Sequence, residues 1–209
     1  MMRQRSFPRR ALLAGMALPL VVPCLAIAAP EAAAPIAAFN AGLLAAMKAG
    51  RAAPFAQRAA ALAPVVDAAF DLPAILQATV GPRWASLAAP QQAELLAAFR
   101  DYTLANWVAN FDSFEGQGFE IAPASRKVGA DEVVETRIVP TSGAPTRLDY
   151  VMRAGAGGWR AVDILVDGAI SRVAVQRSDF RALLKDGDPA PLIAMLKNKT
   201  TSLAGGAKS

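Results

Sequence analysis

The sequence predicts an α+β domain in which an antiparallel sheet of about four strands is packed with six to seven helices. Three observations predict it. Residues 145 to 168 alternate with period two on either side of a glycine-rich turn, the signature of a half-buried hairpin. Before them, apolar residues between 35 and 111 recur at helical spacing, and after Gly168 that spacing returns. At 209 residues the chain can build one sizeable core and is too short for two comfortable domains.

Residues 1 to 28 join a basic head, MMRQRSFPRR, to an apolar run and the small-residue end Ala26-Ile27-Ala28, which is the construction of a cleaved secretory signal peptide. Pro19 and Pro23 interrupt the run, which falls short of the roughly 20 apolar residues of a spanning helix. Arg9-Arg10 before Ala11-Leu12-Leu13 fits twin-arginine export in part, with the general secretory route as the alternative. Pro23 stands where a lipoprotein would carry a small residue before its cysteine. In a bacterium this leader directs the chain to the periplasm.

The domain is expected over residues 29 to 199. From Pro35 to Lys48, Ile36, Phe39, Leu43, Leu44 and Met47 make one helical face that Gly50 stops. Pro54 opens a second helix through Phe55, Leu62, Val66 and Phe70, which Pro64 kinks or splits. Asp71 reads as the N-cap of a short helix with Pro73 in its first turn, running to Gly81. Pro90 begins the longest pattern, whose Leu96, Phe99, Thr103, Trp107 and Phe111 step by three or four; Leu95 and Tyr102 widen the stripe. After Gly116 and Gly118 the period becomes two: Phe119 and Ile121, then 133 to 139, give two short strands before the hairpin. In the hairpin Leu148, Tyr150 and Met152 share one face and Val162, Ile164 and Val166 another. Beyond it, Ile170, Val173, Ala174 and Arg177 read as one helix, Ser178 as the cap of a second through Leu184, and Asp188-Pro189 as the start of a last one. Residues 200 to 209 carry no pattern and read as a flexible tail.

The formal charge of +5 owes most to Arg3, Arg5, Arg9 and Arg10 of the leader; without them 18 basic side chains face 17 acidic ones. No clustered cationic face remains for nucleic acid. Histidine is absent and Cys24 is the sole cysteine, which removes serine-histidine and cysteine-histidine hydrolysis, histidine or thiolate metal sites and an internal disulfide. The turn at 155 to 158 joins two strands, so it is no phosphate loop. No cofactor is expected.

Pro64-Val65-Val66 with Ala69-Phe70-Asp71-Leu72, then Gly81-Pro82-Arg83-Trp84, Pro90-Gln91-Gln92, Phe111-Asp112-Ser113-Phe114-Glu115-Gly116, Trp159-Arg160-Ala161-Val162-Asp163, Asp167-Gly168-Ala169-Ile170-Ser171 and Gln176-Arg177-Ser178-Asp179-Phe180 occur in this order. Together they resemble the MlaC and toluene-tolerance family of periplasmic lipid-binding proteins over about residues 35 to 200. Within it the chain is similar to the HpnM branch associated with hopanoid biosynthesis. The resemblance implies that the sheet is curved and encloses, with the helices, a deep hydrophobic cavity for acyl chains, the headgroup staying near the mouth. It implies a soluble carrier of phospholipid or a hopanoid-type lipid. The implied partners are an inner-membrane ATP-binding-cassette transporter with its periplasmic lipid-binding subunit and, in some systems, an outer-membrane lipoprotein complex.

For such a cavity the expected lining is Trp84, Phe99, Tyr102, Trp107, Phe111, Val134, Ile138, Leu148, Tyr150, Val162, Ile164 and Val166. Each reads equally well as dry core, because apolar stripes usually mark packing. Asp163 is expected to pair with an arginine such as Arg177, Asp167 to sit in a turn before Gly168, and Arg83 to be a solvated helix-end charge, with contact to a phosphate headgroup as the alternative. The rival reading is an enzyme with Asp149 or Asp163 as base and Tyr102 or Tyr150 as hydrogen-bond donor, which needs a carboxylate inside the pocket.

Overall fold

The structure is a computed structural model that describes residues 30–184 and 187–206. The signal-peptide reading of residues 1 to 28 lies outside the described residues.

Helix α1 (Ala34–Ala49) has a proline in its first turn and ends where Gly50 takes a φ of +59°. Its Ile36, Phe39, Leu43 and Met47 are buried in the core. The 22 residues Glu31–Ala52 are long and apolar enough to cross a membrane by length and composition, yet this face packs inside the domain. Helix α2 (Phe55–Ala69) lies against α1 and runs through Pro64 without splitting, held on either side of the proline by buried Leu62 and Val66. Asp71 caps α3 (Leu72–Val80) by accepting the Ala74 N–H at 3.0 Å. A short turn leads to α4 (Ala89–Asn110), the longest helix, which packs on α2, α3 and most extensively on the C-terminal helix.

The sheet has six antiparallel strands: β1 (Gly118–Ile121), β2 (Arg126–Val128), β3 (Asp131–Val139), β4 (Thr146–Gly155), β5 (Gly158–Val166) and β6 (Ile170–Ser171). Their order is β1-β3-β4-β5-β6, with β2 beside β3 further along the edge that β1 occupies. The two strands beyond the expected four are three and two residues long, too short to show a period. Ile170, expected in a helix, instead pairs with Val166 and is 53% exposed. Helix α5 (Arg172–Arg181) therefore starts at Arg172 with Ser171 as its cap, and Ser178 falls inside it.

A bulge at Val162 shifts the register of β5 against β4: Val151 faces Asp163 but Met152 faces Ala161. Ala161, not Val162, therefore joins the main core, and Val162 is buried outside it. The last helix, α6 (Ala190–Ala204), runs five residues into the stretch expected to be a tail, because Leu203 is buried against the core.

Helices α1, α2, α3 and α5 rest on the sheet, and the isolated bridge from Phe70 to Ala161 ties the α2–α3 junction to β5. An aromatic cluster seals this junction. Phe39 meets Phe70 and Trp107 edge-on at 5.0 and 4.8 Å between ring centroids, and Tyr150 stands behind them at 6.4 Å from Phe39.

Candidate functional site

Between α3, α4, α5 and the β4–β5 hairpin the core is not filled. A cavity of about 530 Å³ opens there, inside the range of about 300–1,000 Å³ of sites that take small molecules. Its wall is built from one stripe of α4, because Phe99, Tyr102, Thr103, Asn106, Trp107 and Asn110 recur every three or four residues. Above it on the same stripe Leu95 is dry core, as is the flanking stripe of Ala98, Ala105 and Val108. Phe111 at the C-cap of α4 extends the wall. Leu148 of β4 and Ile164 and Val166 of β5 form the sheet side, and Phe70, Leu72 and Ile75 close the end toward α3.

Apart from Asp163 of β5, the polar lining residues come from the helices around this apolar surface. Arg172, Gln176 and Asp179 share one face of α5, and Lys199 comes from α6, its Nζ 5.9 Å from the centre of the Tyr102 ring. Such a lining suits an amphiphile, with apolar tails against the aromatic wall and a charged group among the polar side chains.

Of the twelve expected lining residues, Phe99, Tyr102, Trp107, Phe111, Leu148, Ile164 and Val166 face this cavity. Trp84 packs on the core from the turn after α3, and Val134 and Tyr150 are dry core one layer behind the wall. Ile138 lies toward the sheet edge, paired with Phe119 of β1, and Val162 is displaced by the bulge. Phe70, Leu72 and Ile75 are lining residues that the sequence reading assigned only to helices. Their signal is the Asp71 cap, which turns the chain between Phe70 and Leu72 and sets Leu72 and Ile75 one helical turn apart.

The carboxylates of the rival enzymatic reading are committed elsewhere. Asp149 is on the other side of β4 from Leu148 and Tyr150, with its side chain 0% exposed and gripped by Arg147. That carboxylate raises the Arg147 guanidinium above its ordinary value, Glu135 adding to the effect. Asp163 lines the cavity, but its oxygens accept the Ile164 and Val173 N–H groups at 2.7 and 3.0 Å and the Ser171 hydroxyl. It does not pair with Arg177, which instead donates to the carbonyl of Ala78. Burial pushes the Tyr150 phenol well above its ordinary value, so it stays protonated. Among the described residues no three His, Cys, Asp or Glu side chains converge to hold a metal ion.

The family model of the MlaC protein matches residues 38–198. The chain belongs to the MlaC family. No curated protein matches it. Among solved structures, the phospholipid-binding protein from Ralstonia solanacearum, determined in complex with a phospholipid, shares the fold of this MlaC-family chain with a TM-score of 0.71 at 21% identity. The match covers 84% of this chain and 99% of the other.

The motifs that carried the resemblance prove largely architectural in this MlaC-family chain. Gln91 Oε1 accepts the Ala88 N–H at 3.0 Å, and Gln92 Nε2 donates to the carbonyls of Trp84 and Leu87, so Pro90-Gln91-Gln92 welds the preceding turn to α4. Asp112 pairs with Arg51 at 2.6 Å. Asp167, with φ +52°, and Gly168, with φ +73°, make the reversal after β5, and a side chain at Gly168 would collide with the Arg147 guanidinium.

Proposed function

We propose that this protein is a periplasmic lipid carrier that holds acyl chains in the cavity between α4, α5 and the sheet. In this reading it moves phospholipid, or a hopanoid-type lipid, between inner and outer membrane as the soluble component of an ATP-binding-cassette lipid-trafficking system. The observation that carries the proposal is an unfilled cavity, with an aromatic wall and polar lining residues, in a chain of the MlaC family. The phospholipid complex of the Ralstonia protein, which has the same fold, supports it.

The physical task is large enough to need a protein. Each methylene withdrawn from water is worth about 0.8 kcal/mol, so a sixteen-carbon chain crossing an aqueous gap alone faces on the order of 12 kcal/mol. A sleeve of Phe99, Trp107, Phe111, Ile164 and Val166 lowers that barrier without chemistry. The leader places the carrier in the compartment that separates the two membranes, and the transporter and outer-membrane complex are its proposed donor and acceptor.

The test is to purify the mature protein without detergent, extract it with organic solvent and identify the extract by mass spectrometry. Close to one diacyl phospholipid per chain, transferable to acceptor vesicles, is the expected result. A hopanoid-type lipid in its place would assign the cargo to the hopanoid-associated branch. A protein that is empty, and stays empty after incubation with labelled phospholipid vesicles, would overturn the reading.

A further inference from the structure

A second hollow of about 410 Å³ lies on the other flank of α3 and α5 and shares no residue with the apolar cavity. The last turn of α3, the Gly81-Pro82 turn and the far face of α5 surround it. Three arginines line it, Arg83, Arg177 and Arg181, and none of its described lining residues is acidic.

Arg177 and Arg181 stand one helical turn apart on α5, a spacing at which like charges repel. Arg177 is partly accounted for. Its Nε donates to the Ala78 carbonyl at 2.9 Å, at the negative end of α3, which is a capping role. The other two are not. Arg83 Nη1 is buried and has no hydrogen-bond partner. Arg181 makes no ion pair or hydrogen bond among the described residues. A buried donor on a charged group is costly when unmet, and here it belongs to a group of three cations with no counter-charge among the described residues of the wall. Gly81, with φ +71°, leaves open space on its side of the hollow.

We propose that this hollow is an anion site for a phosphate group. A planar guanidinium presents paired N–H donors that match two phosphate oxygens, and convergent arginines are a recurrent way to hold that group. The phosphate can arrive on a phospholipid headgroup at a membrane surface or as the free ion. The proposal does not depend on what fills the apolar cavity.

Inorganic phosphate is titrated into the isotope-labelled protein while the arginine Nε–Hε resonances are followed, with chloride at matched ionic strength as control. In parallel, co-sedimentation is measured with phosphatidylglycerol–phosphatidylcholine vesicles. Both are repeated with the Arg83→Gln/Arg181→Gln variant, which leaves the Arg177 cap in place. Saturable shifts at Arg83, Arg177 and Arg181 with phosphate and not chloride, with the affinity read at Arg177 weakened at least tenfold in the variant, support the site with free phosphate as ligand. Vesicle binding that falls at least tenfold in the variant, without a response to free phosphate, supports it with the headgroup as ligand. A wild-type protein that responds to neither probe, or a folded variant that responds as strongly as wild type, overturns the proposal.

Discussion

Asp163 and Val173, ten residues apart in sequence, are joined by a 3.0 Å hydrogen bond in which the Val173 N–H donates to Asp163 Oδ1. The bond pins the first turn of α5 to the edge of β5. Ser171 completes the clasp: its hydroxyl donates to the same carboxylate and accepts the Ala174 N–H at 3.0 Å. Two backbone donors that the start of a helix leaves orphaned are met, Val173 by the carboxylate and Ala174 by the hydroxyl, and the carboxylate also suits the positive end of the helix dipole. Since α5 supplies Arg172, Gln176 and Asp179 to the cavity, this clasp sets the position of one wall. Asp163→Ala is expected to cost about 1–3 kcal/mol and Ser171→Ala about 1 kcal/mol, measured by urea unfolding. Amide exchange at Val173 and Ala174 should quicken in both variants, and unchanged exchange there would refute the assignment.

The Arg147–Asp149 pair predicts an asymmetry. Nε lies 2.9 Å from Oδ1 and Nη2 2.7 Å from Oδ2, yet the Asp149 side chain is 0% exposed while that of Arg147 is 39% exposed. Removing the arginine strands a carboxylate away from water, whereas removing the carboxylate leaves a guanidinium that reaches both solvent and Glu135, at 3.1 Å. Arg147→Ala should therefore lower the melting temperature more than Asp149→Ala does. Equal or reversed losses would show that the buried end of the pair is not the costly one.

A void and a packed core respond in opposite ways to added and removed volume. Ile164 faces the cavity, so Ile164→Trp has space to occupy and should change stability by less than about 1 kcal/mol, against the 1–3 kcal/mol of overpacking a filled core. It should also reduce co-purified lipid severalfold. Phe39 faces no void: it is fully buried and touches Phe70, Trp107 and Tyr150, so Phe39→Ala is expected to cost about 3–5 kcal/mol. Unaltered lipid recovery from a folded Ile164→Trp variant would move the cargo elsewhere.

Helix starts and stops were legible because single residues enforce them: Asp71 caps, Gly50 and Gly81 take positive φ, and prolines stand in the first turns of α1, α3 and α4. The cavity was legible only where a wall and its period coincide, as on α4. It was not legible on β5, where one inserted residue at Val162 exchanges the faces upstream of it while leaving the alternation of Ile164 and Val166 correct. Nor could a period separate Tyr150, one layer behind the wall, from Leu148 in it; both point to the same side of β4, and what differs is how far the aromatic cluster reaches. The last turn of α6 rests on buried Leu203, seven residues past Leu196, with only polar residues between them to carry the period.

Acid should loosen the far end of the sheet first through Asp131, the first residue of β3. Its carboxylate accepts Arg153 Nε at 2.8 Å and Nη2 at 2.7 Å, and that hydrogen-bonded guanidinium holds it below its ordinary value. A carboxylate depressed on folding contributes stability that is whole above its unfolded value, about 3.9, and is lost as pH falls through the folded one. Because the Arg153 side chain is 56% exposed, the contribution belongs with surface pairs, about 0–1 kcal/mol. Asp131→Asn should thus be slightly less stable than wild type at pH 7 and pH 5, with the gap closing as pH drops below about 4. Urea midpoints measured along that series check it, and a gap that widened toward acid would reverse the sign of the argument.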